Sequence, residues 1–160
     1  MDEKLLRIYL QDHLALATGG LELARRARGS NVGNEYGPPL AGLAREIEED
    51  RRSLQEVMND LGFGADRAKN VAVWAAEKIG RLKPNGRLTS YSPLSRMVEL
   101  EGLIAGVTGK QALWRTLHEL AVSEPRLDRD RLAALIERAE GQRTRLNELR
   151  ARAVVEAFSG

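Results

Sequence analysis

Apolar residues recur along this chain at spacings of three and four, the period of a helix face. Leu6, Leu10, Leu14, Ala17, Leu21 and Ala24 form one such series, widened by Leu16, Leu23 and Ala27, and predict a helix over 3–28. A stripe that wide predicts burial against more than one neighbour. Arg25, Arg26 and Arg28 crowd its last turn, where cations suit the helix dipole, and Gly29 follows as the expected stop. A polar, glycine-rich loop then ends in Pro38 and Pro39. Proline is tolerated in a first helical turn, and a second helix is predicted over 39–61 on Leu40, Leu43, Ala44, Ile47, Leu54, Met58 and Leu61. Gly62 to Gly64 break the chain. A shorter helix is predicted over 65–82 from Ala68, Val71, Ala72, Ala75, Ile79 and Leu82, followed by a loop whose Pro84-Asn85-Gly86 is a turn signal. Ser92 and Pro93 form a cap and first-turn pair for a long helix over 93–122, and Asp128 caps a last one over 128–158. Its stripe is Leu132, Leu135, Ile136, Ala139, Leu146, Leu149, Ala153, Val154 and Ala157. No period-two alternation is sustained. The predicted fold class is all-α, in one domain over 1–160.

Three of the stripes carry polar residues. Glu101 has Met97 and Val98 a turn before it and Ile104 and Ala105 a turn after, so it is expected inside the protein. A buried charge costs several kcal/mol, roughly, unless it is paired. The second helix is interrupted between Ile47 and Leu54, where Asp50 and Arg51 stand, and the last helix at Gln142 and Arg143. On the first helix His13 sits between Tyr9, Leu10, Leu16 and Ala17. The expectation is a buried polar layer of His13, Asp50, Glu101 and Arg143, with Arg143 meeting Glu101. His118, near the end of its helix, is expected to interact with the C-terminal carbonyls rather than to catalyse, since no serine or acid pair is placed to form a triad. Asp12 and Glu22 are expected in solvent.

Composition narrows the chemistry. The chain has no cysteine, which excludes disulfides, thiolate metal sites and cysteine nucleophiles together. Its opening, MDEKLLRIYLQ, is acidic where a signal peptide is basic, and no apolar run approaches the roughly 18 residues of a membrane span. A cytoplasmic protein with no membrane role is therefore expected. The net charge of +2 is too small to imply nucleic acid. Charge is nonetheless uneven: 65–93 is basic, with Arg81, Lys83 and Arg87 as anion-binding candidates, although its GRLKPNGRLTS lacks the geometry of a Walker loop. The second helix is acidic, and its carboxylates are expected to complement that basic connection within one chain or between two copies.

Two long helices, a connection of about 30 residues, then two more long helices make an informative order. At 1.5 Å per residue the short helix would contribute about 27 Å, and the loop after it up to about 35 Å, enough to run the length of a bundle. This order resembles the ferritin-like superfamily, whose four-helix bundles contain one long crossover. The resemblance implies a four-helix bundle with a short extra helix in that crossover. It also implies a comparison with the family's di-metal pattern, a Glu from each of two helices and a Glu-x-x-His from the others. Here no Glu-x-x-His occurs. Arg51 follows Glu48, and Arg143 follows Glu140, where the pattern has histidine. A guanidinium cannot ligate a cation but neutralises carboxylates well. The implied protein is a non-enzymatic bundle without cofactor, its metals replaced by salt bridges, acting as a homo-oligomer or with a protein partner. The alternatives are a divergent iron or manganese carboxylate enzyme, using His13, Asp50 and Glu101 as ligands, and an anion or nucleic-acid binder using the basic connection.

Overall fold

Asp2, Ser92 and Asp128 each hold the free backbone N–H groups of a helix start, accepting hydrogen bonds of 3.0–3.1 Å from residues two or three places on. Such caps stabilise a helix end by about 1 kcal/mol each. The computed structural model of the chain describes residues 1–64 and 91–159. Within them lie α1 (Glu3–Ser30), α2 (Gly37–Asp60), α3 (Pro93–Leu120) and α4 (Arg129–Phe158). Among the described residues there is no strand, and no helix is long and apolar enough to cross a membrane. The helix expected over 65–82 and the candidates Arg81, Lys83 and Arg87 lie outside the described residues.

The ends of the helices follow local chemistry. Pro38 and Pro39 occupy the first turn of α2. Beyond its last turn Gly62 takes a positive φ of 76°. The Gly62 and Phe63 N–H groups reach back to the Asn59 and Met58 carbonyls at 2.9 and 2.8 Å, the paired closure that glycine makes possible. α1 does not stop at Gly29 as expected; it continues to Ser30. The reason is Asn31, which is fully buried. Its amide donates to the Ala27 carbonyl and to the Tyr91 hydroxyl, both at 2.8 Å, and its oxygen accepts from Arg96 Nε at 2.8 Å. A buried side chain with its hydrogen bonds made fixes where the chain must turn. Arg96 also lies over the Tyr36 ring, 4.3 Å from its centroid, and pairs with Glu156. One end of all four helices is pinned there.

Contacts between helices give their directions. Tyr9 reaches Thr116 and Arg26 reaches Glu99, so α1 and α3 are antiparallel. Glu46, Glu49 and Glu56 of α2 meet Arg145, Arg138 and Arg131 of α4, which is antiparallel again. Glu101 meets Arg150, and Gln111 meets Glu140, so α3 and α4 are antiparallel as well. It follows that α2 and α3 point the same way, and that residues 63 and 91 lie at opposite ends of the bundle. α3 packs most extensively on α4, and α1 packs on α2 and more thinly on α3. α2 and α4 are joined chiefly through their long charged side chains. Glu46, Glu49 and Glu56 of α2 are thus met by arginines of α4; the basic connection expected to complement the acids of α2 lies almost wholly outside the described residues.

The expected stripe is buried on α2, from Leu40 to Leu61, and on α4 at Leu132, Leu135, Ala139, Leu146, Leu149 and Ala153, with Ile136, Val154 and Ala157 half-buried. On α1 the narrow series is buried except at Ala17, which is half-buried, and Leu16 is 60% exposed. Gly37 marks the tightest approach: a Cβ there would sit 2.6 Å from the Asn31 carbonyl oxygen. Gly37→Ala is expected to force the two backbones apart and lower stability by about 1–3 kcal/mol, read from urea midpoints. An unchanged midpoint would show that the turn yields without cost.

Candidate functional site

The chemistry at the centre of the bundle starts from Asp50, only 2% exposed, in the interruption of α2 where a buried carboxylate was expected. Its partners are different from those expected. Lys110 of α3 donates to Asp50 Oδ2 and to the Gln142 amide oxygen. Gln142 of α4 donates its own N–H to the same Oδ2 at 3.0 Å. Arg138, also on α4, ion-pairs with Oδ1 without directing an N–H at it. Burial pushes the Lys110 ammonium down from its ordinary value, and the Asp50 carboxylate opposes that shift. Nearby, a two-pronged bond from Arg145 holds the Glu46 carboxyl below the usual carboxylate range.

The other members of the expected layer lie elsewhere. Glu101 is half-exposed and accepts from Arg150 at 2.8 Å, at the rim between α3 and α4. Arg143 is also half-exposed and pairs with Glu140 of its own helix. They do not meet one another. The physical reason is that α3 is apolar on nearly every side, so spacing alone could not choose its inner face. The buried residues are Leu100, Leu103, Val107, Gln111, Leu113, Trp114 and Leu117, and Glu101 stands about 100° round from Leu100. Lys110 lies on the inner stripe, three places after Val107 and four before Trp114. That spacing was readable in the sequence and marks it as the missing partner. On α4 the inward polar residue is Gln142, fully buried, and not its neighbour Arg143.

His13 is half-buried, edge-on to Tyr9 with ring centroids 4.5 Å apart. Burial lowers its pKa, and the adjacent Asp12 charge opposes the shift. His118 accepts from Arg129 Nε at 3.2 Å, its Nε2 thereby being an acceptor. Asp12 is exposed, as is Glu22, which pairs with Arg25. Among the described residues no group of three or more histidine and acidic side chains is placed to hold a metal ion. The donor set explains why: both oxygens of Asp50 already face cations, and Glu101 is turned towards Arg150.

A cavity of about 390 Å³ lies beside the junction, walled by α1, α2 and α3. Its walls are mostly apolar and unusually small, with Gly20 on α1 and Gly102, Gly106 and Gly109 on α3. Glycine within a helix costs about 1 kcal/mol relative to alanine. A Cβ on Gly20, Gly106 or Gly109 would meet nothing within 4 Å, so packing among the described residues does not demand them. His13, Asp50, Arg51, Lys110 and Trp114 supply the polar groups of the wall. No known protein family, no characterised protein and no solved structure matches this chain.

Asp50→Leu is expected to cost about 3–5 kcal/mol, because Lys110 and Arg138 are left buried without their counter-charge. Asp50→Leu combined with Lys110→Met should recover more than half of that loss in urea unfolding. Losses that simply add would show that the two groups are not coupled.

Proposed function

We propose that this protein is a non-enzymatic four-helix bundle of ferritin-like topology that works by association, and that its partner is a second copy of the chain docked on the face shared by α1 and α3. Parallel α2 and α3, with their joined ends at opposite poles, are the arrangement that a long crossover would produce, which supports the topology. The charged groups support a binding role over a catalytic one. Glu46, Glu49, Asp50, Glu56 and Glu101 are each engaged by arginine or lysine. Such pairs hold helices together and keep these carboxylates engaged. For the iron or manganese alternative, the carboxylates would first have to leave these partners.

The observation that carries association is the exposed α1–α3 face. Leu5, Ile8 and Leu16 of α1 and Leu94 and Val98 of α3 are between 46% and 63% exposed. Leu5 and Ile8 stand near the start of α1, and Leu94 and Val98 near the start of the antiparallel α3, so the two sets lie towards opposite ends. A two-fold contact sets the α1 residues of each copy against the α3 residues of the other, the self-complementarity that a symmetric dimer needs. Large apolar side chains left in water, in contrast, have no compensating contact.

Sedimentation equilibrium tests this directly. The wild-type chain is expected to dimerise at micromolar concentration, and Ala105→Glu, which places a charge in the exposed seam, to weaken the dimer by tenfold or more, roughly. Helix content by circular dichroism should not change. A monomeric wild type, or an Ala105→Glu variant that dimerises equally well, would remove the proposal.

A further inference from the structure

The cavity beneath that face has a chemistry of its own, and we infer that it binds an apolar chain carrying a carboxylate head. The head sits between Arg51 and Trp114, and the chain lies along the glycines of α3. Two buried N–H donors on the cavity wall lack acceptors among the described residues: Trp114 Nε1, in a side chain only 1% exposed, and Arg51 Nε. An unpaired buried donor costs about 1–3 kcal/mol, so the group that completes this site must bring acceptor oxygens. Trp114 lies one turn beyond Lys110, and Arg51 directly follows the Asp50 that Lys110 contacts. Both donors therefore fall within about one turn of the same height in the bundle.

Charge selects an anion. Asp50 is already opposed by Lys110 and Arg138. Arg51 makes no ion pair among the described residues, and among them the wall carries a surplus positive charge. His13, pushed towards its neutral form by burial, adds a polar group without another fixed charge. Away from this end the cavity is lined by Leu23, Leu103, Gly102 and Gly106, with no further charge until Arg26, which is engaged by Glu99. An apolar body with polar groups gathered at one end suits an amphiphile. The glycines leave the width a methylene chain needs, which gives these costly residues a purpose inside the bundle.

Calorimetric titration with decanoate, decan-1-ol and decylammonium, all below their aggregation limits, tests the inference. It is to be run on the wild-type chain and on Val98→Glu, which charges an exposed residue of the proposed dimer face but does not line the cavity, so that failure to dimerise and failure to bind ligand are seen separately. One decanoate is expected per chain, bound at least tenfold more tightly than decylammonium. Arg51→Met should weaken decanoate about tenfold, the value of one charge-assisted hydrogen bond, while leaving decan-1-ol unchanged. Gly106→Leu, with open space for its side chain, should abolish binding of all three with the fold intact by circular dichroism. Absence of saturable decanoate binding would overturn the site. So would equal affinity for decylammonium, or decanoate binding that ignores Arg51→Met.

Discussion

A carboxylate buried at the middle of a helical bundle has to be met by positive charge, and much of this structure is arranged to meet Asp50. Lys110 comes from α3, and Gln142 and Arg138 come from α4, so one side chain of α2 fixes three helices at a single height. Replacing such a junction with apolar residues is often neutral for stability, whereas removing one partner is costly. Its contribution is therefore to register. Sliding α2 by one turn would separate Asp50 from its cations while leaving leucines against leucines. The Glu46–Arg145, Glu49–Arg138 and Glu56–Arg131 pairs repeat the same register along the α2–α4 seam. Exposed pairs like these are individually weak, yet their alignment excludes shifted alternatives.

α1 takes no part in this junction. It is held by leucine and alanine packing on α2 and by a thinner contact with α3. The cavity opens on that side, because small residues there leave a gap that the polar junction does not fill. At the pole near Asn31 the situation reverses: Asn31, Tyr36, Arg96 and Glu156 link the ends of all four helices through nearly complete hydrogen bonding. The bundle is thus anchored at one pole and at mid-height, with its cavity against α1 and α3. A binding surface is best placed where neither anchor has to move.

Much of the fold was legible because local rules and tertiary packing agree. Ser92 with Pro93, Asp128, and the glycine after α2 marked helix ends through capping chemistry. Asp50 stood out as the polar break in an otherwise clean stripe. Glu101 misled for an identifiable reason: α3 carries apolar or small residues all round, so a carboxylate anywhere on it has leucine-like neighbours. The more telling signal was Lys110, a charge on the stripe that includes Val107 and Trp114. Arg143 was preferred to Gln142 because charge was expected to answer charge from the same position. An uncharged amide instead bridges the pair, with Arg138 a turn earlier supplying the second cation. Asn31 and Arg96 left no periodic trace, since their partners come from segments about 60 residues apart.

Lysine and arginine meet Asp50 at the centre of the bundle, and the function proposed above has them stand where a ferritin-like bundle would hold metal ions. Elemental analysis of the purified protein, after expression in medium supplemented with iron and manganese, tests it most directly. An ion-paired junction predicts metal far below one ion per chain, with no change on Asp50→Asn. Stoichiometric iron or manganese that is lost on Asp50→Asn would contradict it.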